Sequence, residues 1–259
     1  MKDLIEITLD FETYYCKKSK YSLAAKGMTY EKYIRDNKFE IIGLAVKVGN
    51  RNTEWLRPHE IQDWINHVEV AYGWENVRLI AQNAVFDASI LGLKYNVYPG
   101  QIADTMLMSK AVQQWDGNSL DVITRQLRTK YGWICVQNND GSTWVGSAID
   151  ENEQLKQFAV DKGTEVHDAD GKHLCDFTDE AYDAYAQYCI TDVDLTWSAY
   201  RFFLDYYGFP EQEIDVMTTS IEMYTYPVME LDTKVLEEVK ANVNQLREES
   251  LARAGVTLE

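Results

Sequence analysis

The pattern of apolar and polar positions predicts strands first, and then strands that alternate with helices. Residues 4–11 alternate apolar with polar side chains, as in a half-buried strand. Residues 41–48 form a mostly apolar run that ends at Gly49-Asn50, which predicts a second strand and a turn. This order indicates an α/β domain with a mixed sheet. The other predicted elements in this half are strands at 53–57, 77–81 and 101–103, a short helix after Pro58, and helices at 86–95, from 105 onward and at 119–130.

The second half of the chain predicts helices after an irregular stretch. Residues 131–177 are rich in Gly, Asn and Asp and have weak periodicity, apart from a helix-like stretch near 151–160, so we expect an insertion or flap there. A long helix over 178–206 should end at Gly208, with Pro210 just beyond. Two further helical segments follow, at about 211–225 and 232–254.

The charge of the chain restricts its partners. The 259 residues contain 42 Asp and Glu against 25 Lys and Arg, a formal charge of −17, and 46% are hydrophobic. That composition supports a sizeable core and excludes a disordered tail. A general DNA coat or a binder of anionic membranes would carry the opposite sign. Any contact with nucleic acid must therefore be local or bridged by cations.

The N-terminus and the cysteines favour a cytoplasmic protein. The first residues, MKDLIEITLDFET, carry carboxylates where a signal peptide needs an apolar run, and no stretch approaches 18 apolar residues. The four cysteines are far apart and form no CxxC pair, which favours reduced thiols. We therefore expect no membrane partner.

One acid, Asp192, interrupts the apolar stripe of the long helix. A carboxylate at such a position is costly unless a hydrogen bond, a cation or a metal compensates it. A structural hydrogen bond to a neighbouring loop would explain it as well as a metal would. Tyr188 lies one turn earlier on the same face. The stripe consists of Ala181, Ala184, Tyr188, Leu195, Ala199 and Phe202.

Two acids share one side of the first strand. Asp10 and Glu12 are two residues apart, so their side chains point the same way. Two neighbouring carboxylates repel each other, and a divalent cation is the usual compensation. A solvated face is the alternative.

A third acid follows the predicted strand at 77–81. Gln82, Asn83 and Asp87 lie where that strand turns into a helix, a junction at which α/β folds often bind ligands. Asp87 could instead be the N-cap of the helix.

Together these elements resemble a known family. LDFET at 9–13, QNAVFDASIL at 82–91 and YCITDVDLT at 188–196 are similar to the three motifs of DEDD-type 3′→5′ exonucleases, in the tyrosine (DEDDy) version found in the proofreading domain of phage-type family A DNA polymerases. The resemblance covers residues 3–208, with a poor match over 131–177. It implies the RNase H-like (DnaQ-like) fold, a mixed sheet flanked by helices, and extra helices at the C-terminus.

The resemblance also implies the chemistry, a hydrolysis of phosphodiesters with two divalent cations, Mg²⁺ or Mn²⁺. Asp10 should bridge both ions, Glu12 and Asp192 should complete the first, and Asp87 should hold the second. Tyr188 should orient the attacking water. Asp194 and Asp104, which also fall in shared segments, should be structural, Asp104 as a helix cap.

Substrate contacts are predicted beside the acids. Thr13, Asn83 and Phe86 are candidates near the terminal nucleotide, although Thr13 and Asn83 could equally serve as local hydrogen-bonding groups. Lys17 and Lys18, in a basic stretch with Lys20 and Lys26, are candidates for phosphate contacts. A solvated loop is the alternative for the lysines.

The predicted function is a 3′→5′ exonuclease that acts on the single-stranded or frayed 3′ end of DNA. Residues 1–208 would be the exonuclease domain. Residues 209–259 resemble the start of a family A polymerase domain, which predicts a covalently attached polymerase and a chain that is a fragment. The alternatives are an RNase D-like exoribonuclease and a catalytically silent module that clamps DNA.

Overall fold

The computed structural model describes residues 4–112, 117–137, 143–147, 169–226 and 231–255. Its centre is a five-stranded mixed sheet in the order β3-β2-β1-β4-β5. The β1–β2 and β2–β3 pairs are antiparallel, and the β1–β4 and β4–β5 pairs are parallel. This confirms the predicted mixed α/β sheet. The strands are β1 Ile5–Thr13, β2 Ile41–Val48, β3 Glu54–Leu56, β4 Val77–Ala81 and β5 Gln101–Asp104.

The first strand is central rather than half-buried. Thr8, on the predicted polar side, is fully buried like its neighbours Ile7 and Leu9. β1 lies between β2 and β4, and helices cover the sheet. Such a strand is exposed to solvent only beyond the ends of the covering helices. Asp10 and Glu12 are half-buried near the carboxyl end of this strand.

The helices follow the predicted order, with differences at their ends. The helix predicted at 86–95 is an α-helix over Val85–Ile90 that continues as a π-helical turn to Tyr95. Residues 30–35, predicted as irregular, form a one-and-a-half-turn helix capped by Thr29, which is too short to produce a periodic signal. The helices of this half are α1 Tyr30–Arg35, α2 Pro58–Ala71, α3 Val85–Ile90, α4 Thr105–Val112 and α5 Leu120–Tyr131.

The long predicted helix, α6, runs over Asp179–Arg201 and continues as a π-helical turn to Tyr206. Its buried side differs from the predicted stripe in the first two turns. Ala184 is exposed, whereas Tyr182, Tyr185 and Cys189 are buried. The larger aromatic residues remove more apolar area from water than alanine does, and they therefore set which face packs on the sheet.

A short hairpin lies inside the predicted insertion. Strand β6, Trp133–Gln137, pairs with β7, Thr143–Ser147, in antiparallel register. The indole N–H of Trp133 donates a 3.1 Å hydrogen bond to the carbonyl oxygen of Ser198, which anchors β6 to α6. The helix predicted near 151–160 lies outside the described residues.

The compact unit that contains the sheet extends from Met1 to Tyr226. Helix α7, Glu211–Thr225, belongs to it, because the Thr218 hydroxyl accepts a 2.8 Å hydrogen bond from the backbone N–H of Ile102 in β5. Residues Pro227–Glu259 form a second unit, which contains helix α8, Thr233–Ala254. In the described part of the chain, no helix is both long and apolar enough to span a membrane.

Candidate active site

Strand β1 presents Asp10 and Glu12 beside a local irregularity. Its pairing with β2 shifts register between Glu12 and Thr13, and such irregularities re-aim side chains next to many active sites. The residue opposite Glu12 is Gly43, where an added Cβ would lie 2.0 Å from the Trp55 ring. Glycine is therefore required here for Trp55 to pack against the sheet.

Helix α6 brings Tyr185 and Cys189 to these two acids. The Tyr185 hydroxyl donates a 2.5 Å hydrogen bond to Oε2 of Glu12. The Cys189 thiol lies 3.3 Å from the carbonyl oxygen of Asp10 and 3.6 Å from its Oδ2. Single ligand atoms of Asp10, Glu12 and Cys189 lie within 4.8 Å of one another. Burial, and then the charges of Asp10 and Glu12, raise the pKa of Cys189 well above its usual value, so the thiol is a donor to Asp10.

Asp87 faces β1 and does not cap its helix. The residue at the N-cap position of α3 is Ala84, and Asp87 Oδ1 instead accepts a 3.0 Å hydrogen bond from the N–H of Phe11. Burial raises the pKa of Asp87 well above its usual value, and the charge of Asp10 raises it further. Asp87 and Asp10 thus repel each other across the strand, and cations between them would relieve that repulsion.

Asp192 and Tyr188 complete the group from α6. Asp192 is 7% exposed, and it lines the same cavity as Asp10. Burial is the largest cause that raises the pKa of Tyr188. The charges of Asp192 and Glu12 and a hydrogen bond to Asp192 raise it further. Tyr188 is therefore protonated at neutral pH and acts as a hydrogen-bond donor.

The cavity beside the acids has a volume of about 540 Å³. Its lining combines Asp10 and Asp192 with residues of the motif around Asn83, of α4 and of the start of α5. Lys110 supplies the positive charge of the lining. The lining residues are Asp10, Gln82, Asn83, Met106, Lys110, Asn118, Ser119, Leu120, Asp192 and Thr196.

Asp104 fixes the loop that carries Asn83. Asn83 has φ of +63°, a left-handed conformation that asparagine tolerates better than most residues. Asp104 accepts hydrogen bonds from the backbone N–H groups of Asn83 at 3.1 Å and Ala84 at 3.0 Å, and from that of Met106 at 2.8 Å. The last bond confirms the predicted helix cap, and the first two were not predicted.

The predicted substrate residues fall into three places. Asn83 lines the cavity. The ring of Phe86 packs against that of Tyr30, with centroids 5.9 Å apart. Thr13 is buried, with its hydroxyl 3.0 Å from that of Tyr33. Lys17 and Lys18 are exposed in the following loop and do not line this cavity.

Asp194, two residues beyond Asp192, is structural as predicted. Its Oδ1 accepts a 2.6 Å hydrogen bond from the Thr53 hydroxyl and lies 3.0 Å from Nζ of the fully buried Lys47. Asp194 thus neutralises the buried ammonium group of Lys47, whereas Asp192 lines the same cavity as a second carboxylate, Asp10.

Comparison with known proteins supports the fold. No protein-family model and no curated protein sequence matches the chain. Trypanosoma brucei RNase D is 12% identical with a TM-score of 0.51, over 87% of this chain and 68% of that one. Its complex with RNA U12 gives 15% identity and a TM-score of 0.50, over 87% and 66%. Brucella melitensis NrnC with bound Mg²⁺ gives 12% identity and a TM-score of 0.46, over 86% and 85%.

The likeness to RNase D, together with the sheet order, defines the class of fold. It is an RNase H-like fold, a mixed sheet flanked by helices with extra helices at the C-terminus, as the sequence predicted. The acidic group suits two divalent cations, because hard cations prefer carboxylate oxygens.

Proposed function

We propose that the protein is a metal-dependent 3′→5′ exonuclease. The observation that carries this proposal is that three separate elements bring acids to one place. Strand β1 supplies Asp10 and Glu12, α3 supplies Asp87, and α6 supplies Asp192 with Tyr188.

The metal ligands are Asp10, Glu12, Asp87 and Asp192, for two ions of Mg²⁺ or Mn²⁺. Bound divalent cations would activate water and neutralise charge on the leaving oxygen. Asp10 is close to Glu12, and its charge raises the pKa of Asp87. It would therefore be a ligand of both ions.

Tyr188 orients the water that attacks. A general base must lose its proton near the working pH, and burial together with the nearby carboxylates raises the pKa of Tyr188, which makes it a poor base. Its hydroxyl can hold a water by hydrogen bonding. In the reaction a bond forms between the water oxygen and phosphorus, and the bond from phosphorus to the 3′ oxygen breaks. The leaving 3′ oxygen takes up a proton, and the water loses one to solvent.

The substrate we propose is the single-stranded or frayed 3′ end of DNA, with Asn83, Thr13 and Phe86 near the terminal nucleotide. The motifs that resemble family A proofreading domains support DNA. The sequence at 221–239 supports a polymerase domain attached in the full-length protein. RNA is the second candidate, favoured by the likeness to RNase D, whose structure holds RNA U12.

The test is degradation of a 5′-labelled 12-nucleotide DNA and of the matched RNA, with Mg²⁺ or Mn²⁺. We expect a ladder that shortens from the 3′ end and is absent with EDTA. Faster decay of the RNA would establish the ribonuclease alternative. If neither strand is cut by the folded protein, the silent clamp would replace the exonuclease proposal.

A further inference from the structure

A second cavity, lined mainly by basic and small apolar residues, lies beside the loop that follows β1. It has a volume of about 940 Å³. Its walls are the loop after β1 and the exposed side of α1. The lining residues are Lys17, Lys20, Ser22, Ala24, Ala25, Lys26, Gly27, Met28, Lys32, Arg35 and Asp36.

The charge of this region is opposite to that of the protein. Residues 17–38 contain seven Lys and Arg against two Asp and Glu, in a chain whose formal charge is −17. The two carboxylates do not cancel the cations: Glu31 pairs with Arg35 at 3.1 Å, and Asp36 is the single acid in the lining. Arg35 also lowers the pKa of Lys94, after the larger effect of burial, which indicates a local excess of positive charge.

The cavity is built onto the candidate active site. The chain passes from Thr13, at the end of β1, to Lys17 in four residues. Helix α1 connects the two places as well. Its Tyr30 hydroxyl accepts a 3.1 Å hydrogen bond from the Asn83 side chain, and Lys32 and Arg35 of the same helix line the basic cavity.

We propose that this cavity binds the backbone phosphates of a single-stranded nucleic acid whose 3′ end lies at the acids. The inference rests on the proposed function, and it adds the path that the nucleic-acid strand follows away from the acids. The lining combines several cations with apolar residues such as Ala24, Ala25 and Met28. That arrangement suits repeated phosphates with sugars between them.

The test is the affinity of single strands for a triple variant, Lys17→Gln, Lys20→Gln and Lys26→Gln. The matched control removes three cations from α8 instead: Lys234→Gln, Lys240→Gln and Arg247→Gln. Fluorescence anisotropy with labelled 12-nucleotide DNA and RNA, in EDTA so that no hydrolysis occurs, reads out binding alone. Each lost phosphate contact reduces the slope of log K against log salt by about 0.7 for single strands.

We expect the triple variant to lower the slope by about 2 for either nucleic acid, and to lose most of the gain in affinity between a 3-nucleotide and a 12-nucleotide strand. The control variant should keep both. An unchanged slope in the triple variant, or an equal loss in the control, would overturn the proposal. Because the assay needs no catalysis, tight salt-dependent binding without any cleavage would contradict the proposed exonuclease and leave the strand path intact.

Discussion

The hydroxyl of Tyr185 donates a 2.5 Å hydrogen bond to Oε2 of Glu12. Burial raises the pKa of Tyr185, and the charge of Glu12 and this hydrogen bond raise it further, so the hydroxyl remains a donor. Its ring stacks on Phe177 with centroids 5.6 Å apart. Tyr185 is therefore a positioning residue that holds Glu12 toward Asp10.

Replacing Tyr185 with Phe should weaken cation binding while keeping the fold. The ring and its stacking remain, and only the hydrogen bond to Glu12 is lost. Removing such an outer partner of a metal ligand typically costs 10- to 100-fold in affinity. Isothermal titration with Mn²⁺ measures the change. Tyr182→Phe is the matched control, because that hydroxyl donates to the Ile42 carbonyl at 3.0 Å rather than to an acid. Equal affinity in the Tyr185 variant and the wild type would remove Tyr185 from the site.

Replacing Tyr188 with Phe should lower the rate of hydrolysis and spare cation binding. Because its pKa is raised, Tyr188 does not ionise near neutral pH, and the ratio of variant to wild-type rate should stay constant from pH 6 to pH 9. Single-turnover rates at saturating Mn²⁺ measure it. An unchanged rate would exclude Tyr188 from the mechanism, and a ratio that varies tenfold per pH unit would indicate a base instead of an orienting donor.

Asp192 and Asp194 offer a matched pair of substitutions two residues apart. Asp192→Ala should abolish hydrolysis and leave the unfolding free energy in EDTA unchanged or higher, because one of several repelling carboxylates is removed. Asp194→Ala should lose about 3 kcal/mol of stability, since Lys47 is left buried without that carboxylate. Urea unfolding beside the nuclease assay separates the two. Unfolding of the Asp192 variant would make its role structural.

Alkaline pH should destabilise the protein through Tyr33. Burial is the largest cause that raises its pKa to about 12. The unfolded tyrosine ionises near pH 10, so this residue contributes stability that is complete below pH 10 and is lost as pH rises to about 12. Urea unfolding at pH 9 and pH 11 measures the loss. Tyr33→Phe should reduce that loss, and an equal loss in the variant would assign it to other groups.

The proximity of Asp10, Glu12 and Asp192 could be predicted, because carboxylates are uncommon at their positions. Asp192 on an apolar helix face and two acids on one side of a strand are costly patterns, and their order along the chain resembles a known set of motifs. Asp87 could not be separated from an N-cap by sequence, since the difference is the contact with the Phe11 N–H, 76 residues away.

The residues that support the acids were harder to find. Tyr185 and Cys189 were missed because alanines suggested the wrong buried face for the first turns of α6. The tyrosines at residues 182, 185 and 188, spaced by three, could have indicated the buried face of this helix, since large aromatic residues are usually buried. Asp104 can accept hydrogen bonds from the Asn83 loop because the parallel strands β4 and β5 end side by side. A local sequence pattern does not show that pairing.

The most direct test of the central claim, that the acids form one cation site, is the Mn²⁺ stoichiometry of the wild type and of Asp10→Asn. Electron paramagnetic resonance of free Mn²⁺ measures it without substrate. We predict two bound ions for the wild type with a short oligonucleotide present, and the loss of both in Asp10→Asn, because we propose Asp10 as a ligand of both ions. Binding by Asp10→Asn with the number and affinity of the wild type would contradict the account.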